Sequence, residues 1–262
     1  YEIPLRLVGS EMCIRDSYNI ESVMKLIYVY HSGFILENDN IVVVIDYYKD
    51  SGWKGKEGTV HEYLRNTEKR MYILASHAHP DHFNPEIFGW SEKKNLRYIL
   101  SSDIRKGNKE WEDDVVWLDK GETWQDDFLR IKAYGSTDVG ISFLLHTEGK
   151  RIFHAGDLNN WHWREESTEQ EVEEAEKAFL REVAVLAKDA DFLDLAMFPV
   201  DPRLGADYMS GAKQFIDRIP VRKFVPMHFW ERYAKANAFR EYAENHGTEF
   251  IVLTHPGMSV EF

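Results

Sequence analysis

The sequence predicts a layered α/β domain in which two packed sheets lie between outer helices. Short apolar, β-branched segments recur along most of the chain, and helical segments are inserted between the later ones. Blocks of strands with helices between them favour two stacked sheets whose outer faces are covered by helices. The length of 262 residues suits one such domain, and a hydrophobic fraction of 44% can fill its core.

The strands are predicted from apolar runs that turn residues separate. The first three form a meander, because Ser32-Gly33 and Asn38-Asp39-Asn40 divide them. Thr147-Glu148-Gly149-Lys150 predicts a hairpin turn in a second block of strands. The predicted strands cover residues 25–31, 33–37, 41–47, 71–75, 98–101, 115–118, 128–133, 141–146, 151–153, 192–198, 223–227 and 249–254.

The clearest helix is predicted over residues 168–188. Val172, Ala175, Phe179 and Val183 recur there at helical spacing and mark the buried side. The opposite side is mostly acidic, which predicts a solvated helix face rather than a docking tail. Further helices are predicted over residues 58–69, 206–218 and 231–245.

The overall charge argues against two classes of partner. The formal net charge is −13 at pH 7. Nucleic acids and anionic membranes are bound through basic surfaces, so neither is expected as the main partner. The sequence also has no apolar run long enough to span a bilayer.

The first 23 residues differ in composition from the rest. Charged residues interrupt every apolar run there, so the segment lacks the continuous apolar stretch of a signal peptide. Residues 7–17 resemble the translated adapter read-through seen in assembled genomic data. We therefore expect a non-native extension over residues 1–23 and a single domain over residues 24–262. The only cysteine, Cys13, lies in the extension, so the domain has no thiol and a reducing, cytoplasmic location is expected.

Six consecutive residues carry most of the predicted chemistry. His77-Ala78-His79-Pro80-Asp81-His82 follow the strand over residues 71–75, and four of the six are metal-ligand types. Pro80 favours an extended His79 and itself suits the first turn of a helix. We expect His77 and His79 to continue the strand toward one metal, and Asp81 and His82 to turn toward a second at the start of a helix. These ligand types suit zinc or a similar transition metal, and the alternative is a polar loop whose aspartate caps a helix.

The motif resembles the H-x-H-x-D-H signature of the metallo-β-lactamase superfamily. Phe153-His154-Ala155-Gly156-Asp157 is similar to the strand of that family that ends in Gly-Asp, and Phe224-Val225-Pro226-Met227-His228 is similar to the strand that ends in the last ligand. The resemblance runs through most of the chain and implies a four-layered αββα sandwich. Phe198-Pro199-Val200, Met209 and the late strand also resemble the branch that contains the ascorbate-6-phosphate lactonase.

The resemblance implies a ligand set for two divalent metal ions. Asp157 is expected to bridge both ions, with a turn aspartate as the alternative. His228 is expected to complete the set, with a buried structural histidine as the alternative. The implied metal ligands are His77, His79, Asp81, His82, Asp138, Asp157 and His228.

One ligand position departs from the family pattern. Many relatives have a third histidine between the signature and the bridging aspartate, and only His146 and His154 lie in that interval. His146 adjoins a hairpin turn, and strand alternation points His154 away from Asp157. Asp138 lies in a segment that resembles the one holding that histidine, so we prefer it, with a plain loop residue as the alternative. An oxygen ligand would make manganese or iron suitable beside zinc.

Three residues are candidates for binding substrate. Trp161 and His162 follow Asp157 and could form a pocket wall, although aromatic residues also serve as packing. Arg203 could hold an anionic group by bidentate contact, with an ordinary surface arginine as the alternative. His31 is expected near the metals without binding them directly.

The favoured function is hydrolysis by a metal-bound hydroxide. Two divalent cations lower the pKa of a shared water, and Asp81 is predicted as the catalytic residue that orients it and accepts its proton. The resemblance implies a small anionic lactone, ester or phosphoester as substrate. The alternatives are a metal-binding oxidoreductase on the same fold, whose relatives usually have Glu at the position of His79, and a non-catalytic metal-sensing module. The sequence leaves the oligomeric state open.

Overall fold

The computed structural model describes residues 23–52, 57–107 and 115–262. The expected extension over residues 1–23, with Cys13, falls outside these ranges except for Val23, which is exposed. No helix in the described ranges is both long enough and apolar enough to cross a membrane.

The described residues form two sheets of seven strands each. The strands are β1 (Lys25–Tyr30), β2 (Gly33–Glu37), β3 (Ile41–Ile45), β4 (Arg70–Ala75), β5 (Leu96–Ser101), β6 (Val115–Leu118), β7 (Thr123–Gln125), β8 (Arg130–Gly135), β9 (Ile141–Thr147), β10 (Lys150–His154), β11 (Leu193–Pro199), β12 (Val221–Met227), β13 (Glu249–Phe250) and β14 (Ser259–Glu261). The order in the first sheet is β14-β1-β2-β3-β4-β5-β6, and the order in the second is β13-β12-β11-β10-β9-β8-β7. The helices are α1 (Thr59–Asn66), α2 (Glu169–Leu186), α3 (Ser210–Ile216), α4 (Tyr233–Asn237) and α5 (Arg240–Asn245).

Side chains of the first sheet alternate between two cores. Leu26 and Tyr28 of β1 belong to the large core between the sheets, which also contains Phe143 of β9. Ile27 lies on the other face, in a second core that includes Val60 of α1. Because both faces are buried, these strands are continuous apolar runs rather than alternating ones.

Helices cover the outer face of the second sheet. α2 buries Phe179 and Val183, and its first turn is closed by a capping box between Thr168 and Glu171. Phe215 of α3 stacks on Phe198 of β11, with ring centroids 4.5 Å apart. With α1 on the first sheet, the order of layers is helix, sheet, sheet, helix, which confirms the predicted αββα sandwich.

The helix expected to start at Pro80 is not formed. The chain makes a single turn instead, in which Phe83 N–H donates to His79 O at 2.9 Å. Asn84 is extended, with φ −112° and ψ 119°, because Pro85 follows it. A 3₁₀ segment over Pro85–Trp90 then begins, and Asp81 and His82 are therefore held in a turn.

The other differences between the predicted and the observed elements concern short helices and strands. The helix predicted over residues 231–245 is divided into α4 and α5, and the strand predicted over residues 249–254 is confined to β13. β7 and β14 were not predicted, since three residues are too few to display a strand pattern.

Candidate metal centre

The candidate site lies where the carboxyl ends of strands from both sheets meet. β1, β3 and β4 run in one direction within the first sheet, and β10, β11 and β12 are parallel in the second. Polar residues follow the ends of all six strands, which is the usual position of ligand sites in α/β folds. These residues are His31, Asp46, the run His77 to His82, Asp157, Asp201 and His228.

The backbone at this edge has an uncommon conformation. His31, Asp46 and His228 have positive φ angles of 56°, 49° and 62°. Non-glycine residues seldom adopt this region unless the surrounding structure enforces it, and such residues concentrate at functional sites. A hydrogen bond from His228 N–H to His31 O, at 3.2 Å, ties two of these turns together across the sheets.

Two adjacent groups of side chains could each hold a metal ion. The first consists of His77, His79 and Asp157, and the second of His31, Asp81, His82 and His228. Within each group the candidate ligand atoms all lie within 4.8 Å of one another. The fold thus brings six of the seven sequence-predicted ligands into two groups, and adds His31.

Asp157 lies between the two groups. Its Oδ2 is 3.3 Å from His77 Nε2, and its Oδ1 is 3.1 Å from His82 Nε2 and 3.2 Å from His228 Nε2. Each carboxylate oxygen therefore faces a different group, which is the arrangement that a bridging ligand requires. This geometry supports the predicted bridging role.

The polar atoms in the centre fit a divalent cation. His82 Nε2, His228 Nε2 and Asp157 Oδ1 are buried, converge on one another and have no hydrogen-bond partner within the described residues. Buried polar atoms are normally satisfied. Imidazole nitrogen and carboxylate oxygen are both ligands of zinc and related metals, so a cation would satisfy all three atoms at once.

Buried partners orient the histidine rings. His82 Nδ1 is 2.7 Å from Asp46 Oδ2, and His228 Nδ1 is 3.0 Å from Asp201 Oδ2. A carboxylate at Nδ1 holds the proton there and leaves the lone pair of Nε2 free for a metal. Sequence reasoning missed Asp46 and Asp201, although each directly follows a buried apolar segment at the carboxyl end of its strand.

Ser76 orients His77 in the same way. The Ser76 hydroxyl donates to Asp46 Oδ2 at 2.7 Å, so its oxygen can accept from His77 Nδ1, which is 2.9 Å away. The lone pair of His77 Nε2 is then directed into the first group, where Asp157 Oδ2 lies 3.3 Å and His79 Nδ1 3.1 Å from it. Asp46 thus anchors ligands of both groups, one directly and one through Ser76.

Electrostatics keep the two central carboxylates ionised. Burial raises the pKa of Asp157, but attraction to His228 and His82 outweighs it and holds the pKa well below its usual range. Burial also raises the pKa of Asp81, and contacts with His31, His82 and His228 more than reverse this effect. The centre therefore presents negative charge to a cation.

Asp138 lies at the rim of the centre. Its Oδ2 is 3.6 Å from His79 Nδ1, and both side chains are nearly half exposed. The segment reaches this position because Gly140 passes directly over the His77 turn. A Cβ at Gly140 would lie 2.2 Å from Ser76 O, and its φ is 76°. Asp138 is close enough to approach a metal bound by His79, and its role as a ligand remains a prediction.

The geometry argues against His154 as the alternative ligand. His154 Nε2 donates to Ser32 O at 2.9 Å, and His154 Nδ1 accepts from Gly156 N–H at 3.2 Å. Both ring nitrogens are therefore engaged by backbone groups. Its fully buried ring packs edge-on against Phe34, which belongs to the core between the sheets, and it is in neither metal group.

A cavity of about 410 Å³ opens onto the two groups. Trp161 forms part of its wall, where the indole Nε1 donates to Asp157 O at 2.7 Å and the ring contacts His228. Trp163 stacks on Trp161. The cavity is lined by His79, Asp81, Thr137, Asp138, Asp157, Trp161, Trp163, Arg203 and His228.

Two other substrate-binding candidates differ in position. Arg203 lines the cavity, where its Nε and Nη2 donate to Asp201 Oδ2 at 2.8 and 2.6 Å. His162 does not line it. Its ring is buried, with Nδ1 3.0 Å from Asn160 Oδ1 and Nε2 3.2 Å from Asp207 Oδ2. The expected substrate contact of His162 therefore has no support in this geometry, because Asn160 and Asp207 engage its two ring nitrogens.

Comparisons with known proteins agree with this fold. A metal-dependent hydrolase from Nanoarchaeum equitans is 24% identical over 251 residues, which cover 88% of this chain and 96% of the relative. The structure of Igni18, a metallo hydrolase from Ignicoccus hospitalis, matches with a TM-score of 0.66 and 19% identity, covering 92% of this chain and 99% of that one. CmlA, a diiron β-hydroxylase from Streptomyces venezuelae, matches with a TM-score of 0.63 and 12% identity, covering 92% of this chain and 54% of that one.

The family assignment follows from a family model. The model of the β-lactamase superfamily domain matches residues 25–176, which is more than half of the chain and includes the signature motif and Asp157. The two-sheet sandwich and the position of the metal groups between its strand ends are consistent with that match. The chain belongs to the β-lactamase superfamily and has the metallo-β-lactamase fold.

Proposed function

We propose that the protein is a metal-dependent hydrolase that acts on a small anionic substrate. The observation that carries this proposal is the convergence of buried, unpaired ligand atoms around Asp157, beside an open cavity. The names of the similar proteins from Nanoarchaeum equitans and Ignicoccus hospitalis, both hydrolases, support the reaction class. The ascorbate-6-phosphate lactonase branch remains a prediction from the sequence motifs.

The proposed ligands divide between two divalent cations. His77, His79 and Asp138 would hold the first, and Asp81, His82 and His228 the second, with Asp157 shared. Zinc suits this set best, and the carboxylate at position 138 makes manganese or iron a suitable alternative. Such cations lower the pKa of a water molecule and polarise a carbonyl or phosphoryl oxygen.

Asp81 is the proposed catalytic residue. It lines the cavity and belongs to the second group, where its Oδ2 is 3.7 Å from His228 Nε2, so its carboxylate can accept a hydrogen bond from the attacking water. Its lowered pKa keeps the carboxylate ionised across the neutral range. The ionised carboxylate can therefore orient the water toward the substrate, and its role as acceptor of the proton stays a prediction from the sequence.

The wall of the cavity supports an anionic substrate. Arg203 is the one lysine or arginine among the described residues that line it. Its bonds to Asp201 hold the guanidinium against the wall, where it can meet a carboxylate or phosphate group. Trp161 and Trp163 present a flat aromatic surface beside it, which suits the body of a lactone or ester.

An oxidoreductase is the alternative on this fold, as the likeness to CmlA illustrates. The side chains of the two groups favour hydrolysis, since His79 stands where a glutamate is expected in the oxidoreductase relatives. The expected cytoplasmic location stays a prediction that rests on the lack of cysteine in residues 24–262.

Metal analysis combined with a substrate panel tests the proposal. The purified protein should bind close to two zinc ions per chain and hydrolyse members of a panel of anionic lactones and phosphodiesters. Chelator should abolish the activity, and zinc should restore it. A matched control is His246→Gln, because His246 lies on the surface beside Tyr242 and should leave zinc content unchanged. Metal-dependent oxygen consumption without hydrolysis would favour the oxidoreductase instead.

A further inference from the structure

The histidines around the centre differ in what faces Nδ1. His77, His82 and His228 each direct Nδ1 toward an oxygen that accepts a hydrogen bond. In His31 and His154, Nδ1 instead faces a backbone N–H group that donates a hydrogen bond to it. Trp230 N–H donates to His31 Nδ1 at 3.3 Å, and Gly156 N–H donates to His154 Nδ1 at 3.2 Å.

The partner of Nδ1 decides what Nε2 can do. A neutral imidazole carries its proton on one nitrogen only, so a ring whose Nδ1 accepts a hydrogen bond has the proton on Nε2. His154 illustrates this rule, because its Nε2 is 2.9 Å from Ser32 O and must donate to it. A protonated Nε2 has no lone pair for a metal ion.

His31 has the same arrangement beside the second group. Its ring is completely buried between Trp230 and His228, with ring centroids 4.3 and 4.2 Å away. Its Nε2 has no hydrogen-bond partner in the described residues, and Asp81 Oδ2 is 3.3 Å from it. A buried N–H donor needs an acceptor, and a small rotation of the Asp81 carboxylate would supply one.

The backbone holds this arrangement in place. His31 and Trp230 have positive φ angles of 56° and 55°. His31 also receives the hydrogen bond from His228 N–H and donates its own N–H to the Tyr28 hydroxyl at 2.9 Å. The Trp230 amide is therefore directed at His31 Nδ1 by the same turns that place His228.

We propose that His31 is a positioning residue whose Nε2–H donates to the carboxylate of Asp81, and that it is not a ligand of either metal. The second cation is then left to Asp81, His82, His228 and Asp157. The role of Asp81 rests on the proposed function, whereas the position of the proton on His31 does not.

Nitrogen-15 NMR of the histidine rings tests the proposal directly. In the full chain, both metal-free and loaded with zinc, His31 and His154 should each show a protonated Nε2 and an unprotonated Nδ1. His77, His82 and His228 should show the opposite pattern after loading. An unprotonated His31 Nε2 that shifts on zinc binding would overturn the proposal. If the protein bound no zinc at all, the proposed function would fail, and the metal-free spectrum would still decide the tautomer of His31.

Substitutions separate positioning from metal binding. Asp81→Ala should move the His31 Nε2–H proton resonance upfield, whereas Asp138→Ala, which removes a carboxylate beside His79, should leave it in place. His31→Asn keeps an acceptor for Trp230 N–H and tolerates a positive φ, so it should retain the zinc content of the unsubstituted protein. Loss of one zinc ion in His31→Asn, with an unchanged melting temperature, would show that His31 is a ligand.

Discussion

Asp46 and His82 form a completely buried pair in which Nδ1 of the imidazole lies 2.7 Å from Oδ2 of the carboxylate. Asp46 also accepts hydrogen bonds from the backbone and the hydroxyl of Ser76, both at 2.7 Å. Burial raises the pKa of Asp46, but the hydrogen bond and the attraction from His82 oppose this effect, and the pKa is lowered, so the carboxylate stays ionised. One aspartate outside the metal groups thus holds the ligands that follow β4 in position.

Asp46→Ala should weaken metal binding although Asp46 contacts no metal. Removal of the partner at Nδ1 frees the His82 ring to change tautomer, and outer partners of this kind contribute roughly 10- to 100-fold in metal affinity. Competition against a zinc-sensitive dye would measure the change. Asp194→Ala is a matched control, because Asp194 accepts from Arg151 N–H between β10 and β11, away from the centre. Equal zinc affinities in the two variants would contradict the role given to Asp46.

Asp157→Ala should remove both metal ions or nearly so. Each of its oxygens faces one group, and without the carboxylate His77, His82 and His228 lose the negative charge between them. Elemental analysis after dialysis should find little zinc in this variant. Retention of a full complement of zinc would show that Asp157 does not bridge.

Asp138→Ala should affect metal content, whereas His154→Ala should affect stability. Loss of Asp138 should lower the zinc content of the first site, since its carboxylate lies 3.6 Å from His79 Nδ1. Loss of the fully buried His154 should lower the melting temperature and leave zinc stoichiometry intact. If His154→Ala emptied the first site and Asp138→Ala did not, the assignment would be reversed.

Asp81→Asn should lower kcat by roughly 100-fold or more, the size of general acid–base contributions. The substitution keeps the volume of the side chain but removes the negative charge that Asp81 contributes to the second group and to the cavity. The site at His77 and His79 should still bind metal. Steady-state kinetics together with metal analysis would measure both effects. Unchanged turnover with a full metal content would rule out the proposed role of Asp81.

Deletion of the first 23 residues should leave the domain intact. Met24 is completely buried and pairs with Phe262 through two backbone hydrogen bonds, whereas Val23 is exposed. A chain that starts at Met24 should keep the melting temperature and zinc content of the full chain. A fall of several degrees in its thermal unfolding would show that residues 1–23 contribute to the fold.

Local patterns were sufficient to predict most of the fold. The runs over residues 33–37 and 115–118 were predicted with the bounds that β2 and β6 have. The helix predicted over residues 168–188 is α2, where Thr168 is the N-cap. Apolar periodicity and turn residues are properties of neighbouring residues, and the interior of the sandwich did not override them.

The sequence by itself also identified four candidate metal ligands, because His77, His79, Asp81 and His82 lie within one short motif. It did not determine what holds them. Asp46, Asp201 and the Trp230 amide reach the rings only because β1, β3, β11 and β12 end at the same edge of the sandwich. For His31, His82 and His228, the group that faces Nδ1 belongs to a residue distant in the chain. For these three rings, tertiary structure therefore decided which group faces Nδ1, because sequence spacing carries no information about contacts between distant strand ends.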